Sequence, residues 1–138
     1  MARPLGVVLA IDPGTRYVGL AISNPEATLA FPLEVVAAEA QLVPRIARLV
    51  EERAVARLIV GRPLSLRGTV LPMTPVAEQL AEQLKTSLKL PVDLVDERLS
   101  TREASERTSK KRVDAAAAAL ILQTYLERHL PRKQQAAE

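Results

Sequence analysis

Residues 5–23 read LGVVLAI, then DPGTR, then YVGLAIS. Two apolar runs flank a short turn. The first, Leu5–Ile11, is continuous and partly β-branched, which predicts a strand buried on both faces. Asp12-Pro13-Gly14 closes it. The second run, Tyr17–Ser23, predicts a second strand, and Asn24-Pro25-Glu26 predicts the next turn. Thr28–Val36 predicts a third strand. Pro32 cannot donate to a ladder, so part of that strand lies at an edge or bends. Three short strands in succession predict an antiparallel meander.

The period then changes. Leu42, Ile46, Leu49 and Val50 recur at helical spacing and predict a helix near 40–54. Arg57–Gly61 reads as a buried strand. Thr74–Leu88 predicts a second helix, with Val76, Leu80 and Leu84 on its apolar stripe. Pro91–Asp96 predicts another strand. Ser100-Thr101-Arg102-Glu103 fits a capping box, so a short helix is expected there. Val113 to about Arg128 predicts a last, Ala-rich helix. The order β-β-β-α-β-α-β-(α)-α predicts an α/β fold: a mixed five-stranded sheet with helices on both faces. One domain is expected over residues 1–130, with a polar tail over 131–138. The longest connection, Arg62–Pro75, is of the kind that often carries function.

Composition narrows the function. The 138 residues are 48% hydrophobic and 25% charged, which excludes overall disorder. Such a length buries roughly two-thirds of its unfolded surface, enough for a core without staples. No apolar run approaches the roughly 18–20 residues that cross a bilayer, and the N-terminus lacks the pattern of a signal peptide. A cytoplasmic protein with no membrane partner is expected. There are no cysteines, which excludes disulfides, thiolate metal sites and Cys catalysis. The one histidine, His129, excludes a multi-His site. Any metal is therefore held by carboxylates, which selects a hard ion. Net charge is +3, yet residues 98–112 alone carry six basic and two acidic side chains, a net +4. A concentrated basic segment suits a polyanion, although a solvated helix face would look the same. With only Tyr17, Phe31 and Tyr125 as aromatics, a stacking platform for single-stranded bases is not expected.

Three carboxylates carry the chemical reading. Asp12 follows the first buried strand, where α/β sheets gather ligands, and Gly14 allows close backbone approach. A turn-forming Asp before Pro-Gly is the plainer reading. Glu97 ends the strand Pro91–Asp96. Asp96 precedes it and should point the other way, so one of the pair can face the site. A solvated charge cluster is the plainer reading here. Asp114 heads a helical stripe of Ala117, Ala118, Ile121 and Tyr125. A carboxylate there costs several kcal/mol to desolvate unless paired or metal-bound. The helix dipole offers a lesser account, worth about 0.3–1 kcal/mol. Alanines 115–119 let this helix lie close to the sheet. Three converging carboxylates need a cation, and Mg²⁺ fits: it takes oxygen ligands and keeps waters for chemistry. Two such ions about 3.5–4 Å apart serve phosphodiester hydrolysis.

These residues resemble a known family, the YqgF (RuvX) proteins, Holliday-junction-resolvase-like members of the ribonuclease H-like superfamily. The resemblance rests on DPGTRYVGLAIS at 12–23, GRPL at 61–64 with Gly68-Thr69, DERLST at 96–101, and Val113-Asp114 followed by the Ala-rich helix and Leu122-Gln123. Together these motifs span nearly the whole chain in family order. The resemblance implies a ribonuclease H-like fold and Mg²⁺- or Mn²⁺-dependent phosphodiester cleavage. It implies catalytic, metal-holding roles for Asp12, Glu97 and Asp114. It also implies processing of the 5′ end of precursor 16S ribosomal RNA, with cleavage of branched DNA as the alternative. The expected partner is thus an RNA precursor or a DNA junction. Arg98, Arg102, Lys110, Lys111 and Arg112 are expected to hold its backbone. Gly14, Thr15, Arg16, Gly61, Arg62 and Gly68 are candidates for the groove. Resolvases carry a fourth acid one turn before the helix Asp, and Lys111 stands there instead. The stretch between Glu97 and Asp114 is also short for the family, which bears on substrate preference.

Two other readings stand beside this one. Asp12-x-Gly-Thr with Gly19 also resembles the phosphate loop of actin-like and sugar-kinase-like ATPases. Those need two copies of the fold, and this length holds one. A non-catalytic nucleic-acid-binding module is the second; the presence of all three acids favours activity. Both a monomer and a homodimer are compatible with the sequence.

Overall fold

The structure, a computed structural model, describes residues 6–97 and 115–129. Five strands form one sheet among these residues: β1 (Val8–Asp12), β2 (Tyr17–Ser23), β3 (Ala30–Ala37), β4 (Arg57–Arg62) and β5 (Val92–Asp96), in the order β3-β2-β1-β4-β5. β1, β2 and β3 are antiparallel neighbours, while β4 and β5 join β1 in parallel. This is the mixed sheet that the sequence predicts. Pro32 lies on β3, an edge strand, beside a register shift in which Leu20 pairs with Glu34 and Ala21 with Pro32, leaving Leu33 as the extra residue on β3. A proline on an edge breaks no ladder.

Strand alternation sorts the core into two layers. Leu9, Ile11, Leu20, Leu58 and Val60 point to one face, where α1 (Leu42–Glu52) and α2 (Met73–Leu88) pack through Ile46, Leu49, Ala77, Leu80 and Leu84. Val8, Ala10, Ala21 and Ile59 point to the other, where α3 (Ala115–His129) packs through Ala118, Ile121, Leu122, Tyr125 and Leu126. Burial of each large aliphatic side chain contributes about 1.5–3 kcal/mol, so both layers hold the sheet.

Three details differ from expectation. β1 begins at Val8, not Leu5, because Gly6 takes a left-handed φ of +78° and closes against Ala56. Asp12 belongs to the strand, paired with Gly19, and does not merely start the turn. On α2 the inward face is Thr74, Ala77, Leu80, Ala81 and Leu84, while Val76 is 46% exposed. Small alanines face the sheet and bring the helix close. The short helix predicted near residue 100 and the polar tail lie outside the described residues.

Candidate active site

β1, β4 and β5 run parallel, so their carboxyl ends share one edge of the sheet. Open α/β sheets bind ligands at that edge. Asp12 ends β1, and Glu97 directly follows β5. Asp12 continues the Val8-Ala10 alternation and so faces the α3 side. Its cross-strand partner on β2 is Gly19. On β4 the Ile11–Val60 pairing, carried one residue on, brings Gly61 alongside it. Asp12 therefore lies between two residues without side chains.

Glu97 uses that space. A Cβ built on Gly61 would stand 2.9 Å from Glu97 Oε1, 3.1 Å from its Cγ and 3.3 Å from its Cδ. The glutamate thus lies over the bare backbone of β4 at Gly61, the residue alongside Asp12 on the neighbouring strand. On β5, Asp93 bonds Tyr125 of α3, and Val95 packs in the α3-side core. Glu97 continues this face, and Asp96 belongs to the other. The expected division between the two neighbouring acids is present.

Burial makes this pairing chemically significant. Asp12 is 0% exposed, Glu97 is 5% exposed, and both carboxylate oxygens of Asp12 are shut off from solvent. A carboxylate taken out of water costs several kcal/mol unless compensated. The donor set is all oxygen, and the glycines leave a cradle beside it. That chemistry fits a hard divalent ion such as Mg²⁺ or Mn²⁺. Among the described residues no group of three His, Cys, Asp or Glu is assembled as a metal site. The third expected acid, Asp114, lies outside the described residues, as do Arg98, Arg102, Lys110, Lys111 and Arg112.

The direction of α3 bears on that third acid. Gln123 bonds the β2–β3 turn at Thr28 and Ala30, and Tyr125 bonds Asp93 near the start of β5. Both contacts lie at the sheet end opposite Asp12. The helix therefore runs with its amino end, Ala115, towards the carboxylate edge.

The rim candidates divide. Thr15 and Arg16 are exposed on the β1–β2 turn, beside the edge, and Gly14 is half-buried. Gly68 takes φ +84° in a tight hairpin closed by the Leu64–Val70 bridge and the Ser65–Thr69 hydroxyl contact. Arg62 alternates to the α1–α2 face and pairs with Glu78 at 3.0 Å, so its charge is directed away from Asp12. The sequence reading named Gly19 only in the phosphate-loop alternative, not as the neighbour of Asp12, and it missed Thr74. Gly19 could have been found by centring the hairpin on Thr15 and Arg16 and counting outwards. Thr74, fully buried, donates to the Pro63 carbonyl and accepts from the Leu71 N–H, tying the long loop to α2.

Fold and site define the class: a ribonuclease H-like α/β protein with paired acids at the carboxyl edge of its sheet. The comparisons carry this further. The profile of the RuvX family, described as Holliday junction resolvase, matches residues 6–128. The chain belongs to that family. Curated relatives carry the provisional name pre-16S rRNA nuclease. One from Chloroflexus aurantiacus is 37% identical, covering 88% of this chain and 86% of the relative. One from Dictyoglomus turgidum is 40% identical, covering 87% and 93%. Among solved structures, Thermus thermophilus RuvC in complex with a Holliday junction substrate superimposes with a TM-score of 0.63 at 18% identity, covering 89% of this chain and 94% of that one. That likeness supports the fold.

Proposed function

We propose that this protein is a divalent-metal-dependent nuclease that hydrolyses phosphodiester bonds, with precursor 16S ribosomal RNA as its substrate. The observation that carries the proposal is the burial of Asp12 and Glu97 together across Gly61, at the edge where ligands bind. Asp12, Glu97 and Asp114 would hold Mg²⁺ or Mn²⁺. Held by these residues, the ion would supply Lewis-acid chemistry for phosphodiester hydrolysis. The chain's own residues shape that chemistry. Gly19 and Gly61 keep side chains out of the space beside Asp12. Burial excludes bulk water and strengthens every electrostatic contact at the edge. Residues 98–112, with a net charge of +4, would hold the nucleic-acid backbone without reading bases.

The substrate follows from the names that the relatives carry, and the family description adds four-way junctions. One assay tests both. Single-stranded RNA, a precursor ribosomal RNA leader, duplex DNA and a four-way junction are each incubated with Mg²⁺, Mn²⁺ or EDTA. Asp12→Asn is run alongside. Metal-dependent cutting of the leader, lost in Asp12→Asn, is expected. Preferential cutting of the junction would replace the RNA reading. Binding without cutting on every substrate would make the protein a non-catalytic binding module.

A further inference from the structure

α3 meets the sheet through small and aliphatic side chains: Ala118, Ile121, Leu122 and Leu126 are buried against β1 and β2. Such apolar contact gives cohesion but is non-directional, whereas hydrogen bonds hold their partners at a fixed distance and angle. Two polar side chains on opposite flanks supply the register. Gln123 Oε1 accepts from the Ala30 N–H at 2.9 Å, and its Nε2 donates to the Thr28 carbonyl at 3.2 Å. Only glutamine or asparagine offers both roles on one planar group, and the Ala30 N–H fixes which end is which. On the other flank the Tyr125 hydroxyl donates to Asp93 Oδ2 at 2.7 Å. Arg57 Nη1 donates to that same oxygen at 2.9 Å, which holds the acceptor in place.

The turn gripped by Gln123 is itself held. Asn24 Oδ1 accepts from the N–H groups of Thr28 and Leu29 at 2.8 and 3.0 Å, and the Asn24 carbonyl accepts from the Ala27 N–H at 3.0 Å. Both pins thus join α3 to hydrogen-bonded parts of the sheet, at the end away from Asp12 and Glu97.

A helix rises 1.5 Å per residue, so Ala115 lies about 12 Å along the axis from Gln123. Between them the helix acts as a rod, and a slip at the pins moves its amino end by a similar amount. We propose that Gln123 and Tyr125 are positioning residues for the nuclease site. They set the axial register of α3, and with it the place of its amino end, Ala115, at the edge that carries Asp12 and Glu97. The inference rests on the reading of Asp12, Glu97 and Asp114, the residue that precedes α3 in sequence, as the metal-holding set.

The test compares Gln123→Met, Tyr125→Phe and the double variant with wild type. Ile46→Val, in the core on the opposite face of the sheet, serves as the stability control. All are studied at a temperature where circular dichroism shows each to be folded. Mn²⁺ binding is measured by titration calorimetry without nucleic acid, and kcat and KM are measured on the preferred substrate. Gln123→Met is expected to weaken Mn²⁺ binding and lower kcat by about 10–100-fold, as loss of an orienting partner does, with KM unchanged. Tyr125→Phe, which keeps the ring, should move both in the same direction by less. Wild-type Mn²⁺ affinity and kcat in the folded double variant would overturn the proposal. So would an equal loss in Ile46→Val. Asp12→Asn separates the two layers of inference. If it binds Mn²⁺ as wild type does, the reading of the site falls and the positioning role falls with it. If it loses Mn²⁺ while the pin variants keep it, only the positioning role falls.

Discussion

Glu97 occupies its place because residue 61 has no side chain: a Cβ there would stand 2.9 Å from Glu97 Oε1. Real Cβ atoms do not approach an oxygen so closely, and Glu97 is buried and has little room to yield. Gly61→Ala is therefore expected to displace the carboxylate by a few tenths of an ångström to an ångström. Misplacement on that scale costs up to about 100-fold in rate. The stability change should be small, because alanine in a strand recovers about 0.5–1 kcal/mol of chain entropy against the local strain. The check is kcat together with the thermal midpoint. A variant with wild-type kcat would mean that Glu97 is not held by this contact.

Asp12→Asn separates stability from activity in the opposite direction. Placing a carboxylate at 0% exposure next to Glu97 is costly, and the amide removes the charge while keeping the shape. In EDTA the variant should be more stable than wild type by about 1–2 kcal/mol, as is common where an active site holds electrostatic strain. With Mg²⁺ added, wild type should gain stability through binding and the variant should gain little. Cleavage should be lost. Chemical denaturation with and without the metal measures this. Equal metal stabilisation of the two proteins would remove Asp12 from the set of ligands.

The strands that carry Asp12 and Glu97 were legible in the sequence because their signals are local. A buried strand ending in Asp12 can be read from seven apolar residues and a Pro-Gly turn. That only one of Asp96 and Glu97 can face the edge follows from strand alternation; that it is Glu97 came from the family resemblance. Pro32 announced an edge. What could not be read depends on contacts between distant positions. Gln123 meets Ala30 across 93 residues, and Tyr125 meets Asp93 across 32. No window of sequence contains both partners. Val76 was misplaced for another reason. Each step of four residues drifts about 40° around a helix, so Val76 falls off the face that Leu80 and Leu84 share, and alanines 77 and 81 complete the inward positions.

Tyr125 gives the protein an alkaline limit. Burial chiefly, helped by its hydrogen bond to Asp93 and that residue's charge, pushes the Tyr125 hydroxyl up to about 12 from 10.0. The folded protein therefore holds this proton more tightly than the unfolded chain. The resulting stability is fully present below pH 10.0 and is lost as the pH rises through about 12. Tyr125→Phe has no such proton. Its stability should change less steeply with pH than that of wild type between these limits, although it is lower at neutral pH for want of the bond to Asp93. Urea titrations at a series of pH values measure the difference. Parallel curves for the two proteins across that range would show that the hydroxyl does not contribute.

The basic segment makes a prediction about salt. If Lys110 and Lys111 each neutralise one phosphate, binding releases condensed counterions in proportion to the contacts made. The logarithm of the binding constant then falls linearly with the logarithm of salt concentration, at about 0.7 per contact on a single strand and 0.9 on B-form DNA. Replacing both lysines with alanine should flatten the slope by about 1.4 on RNA or 1.8 on duplex DNA, and weaken binding to every sequence alike. Fluorescence anisotropy at several salt concentrations, using Asp12→Asn to prevent cutting, measures it. The two effects must appear together. Weaker binding with an unchanged slope would mean that the lysines act on folding or on local structure, and that the net +4 of residues 98–112 faces solvent instead of the nucleic-acid backbone.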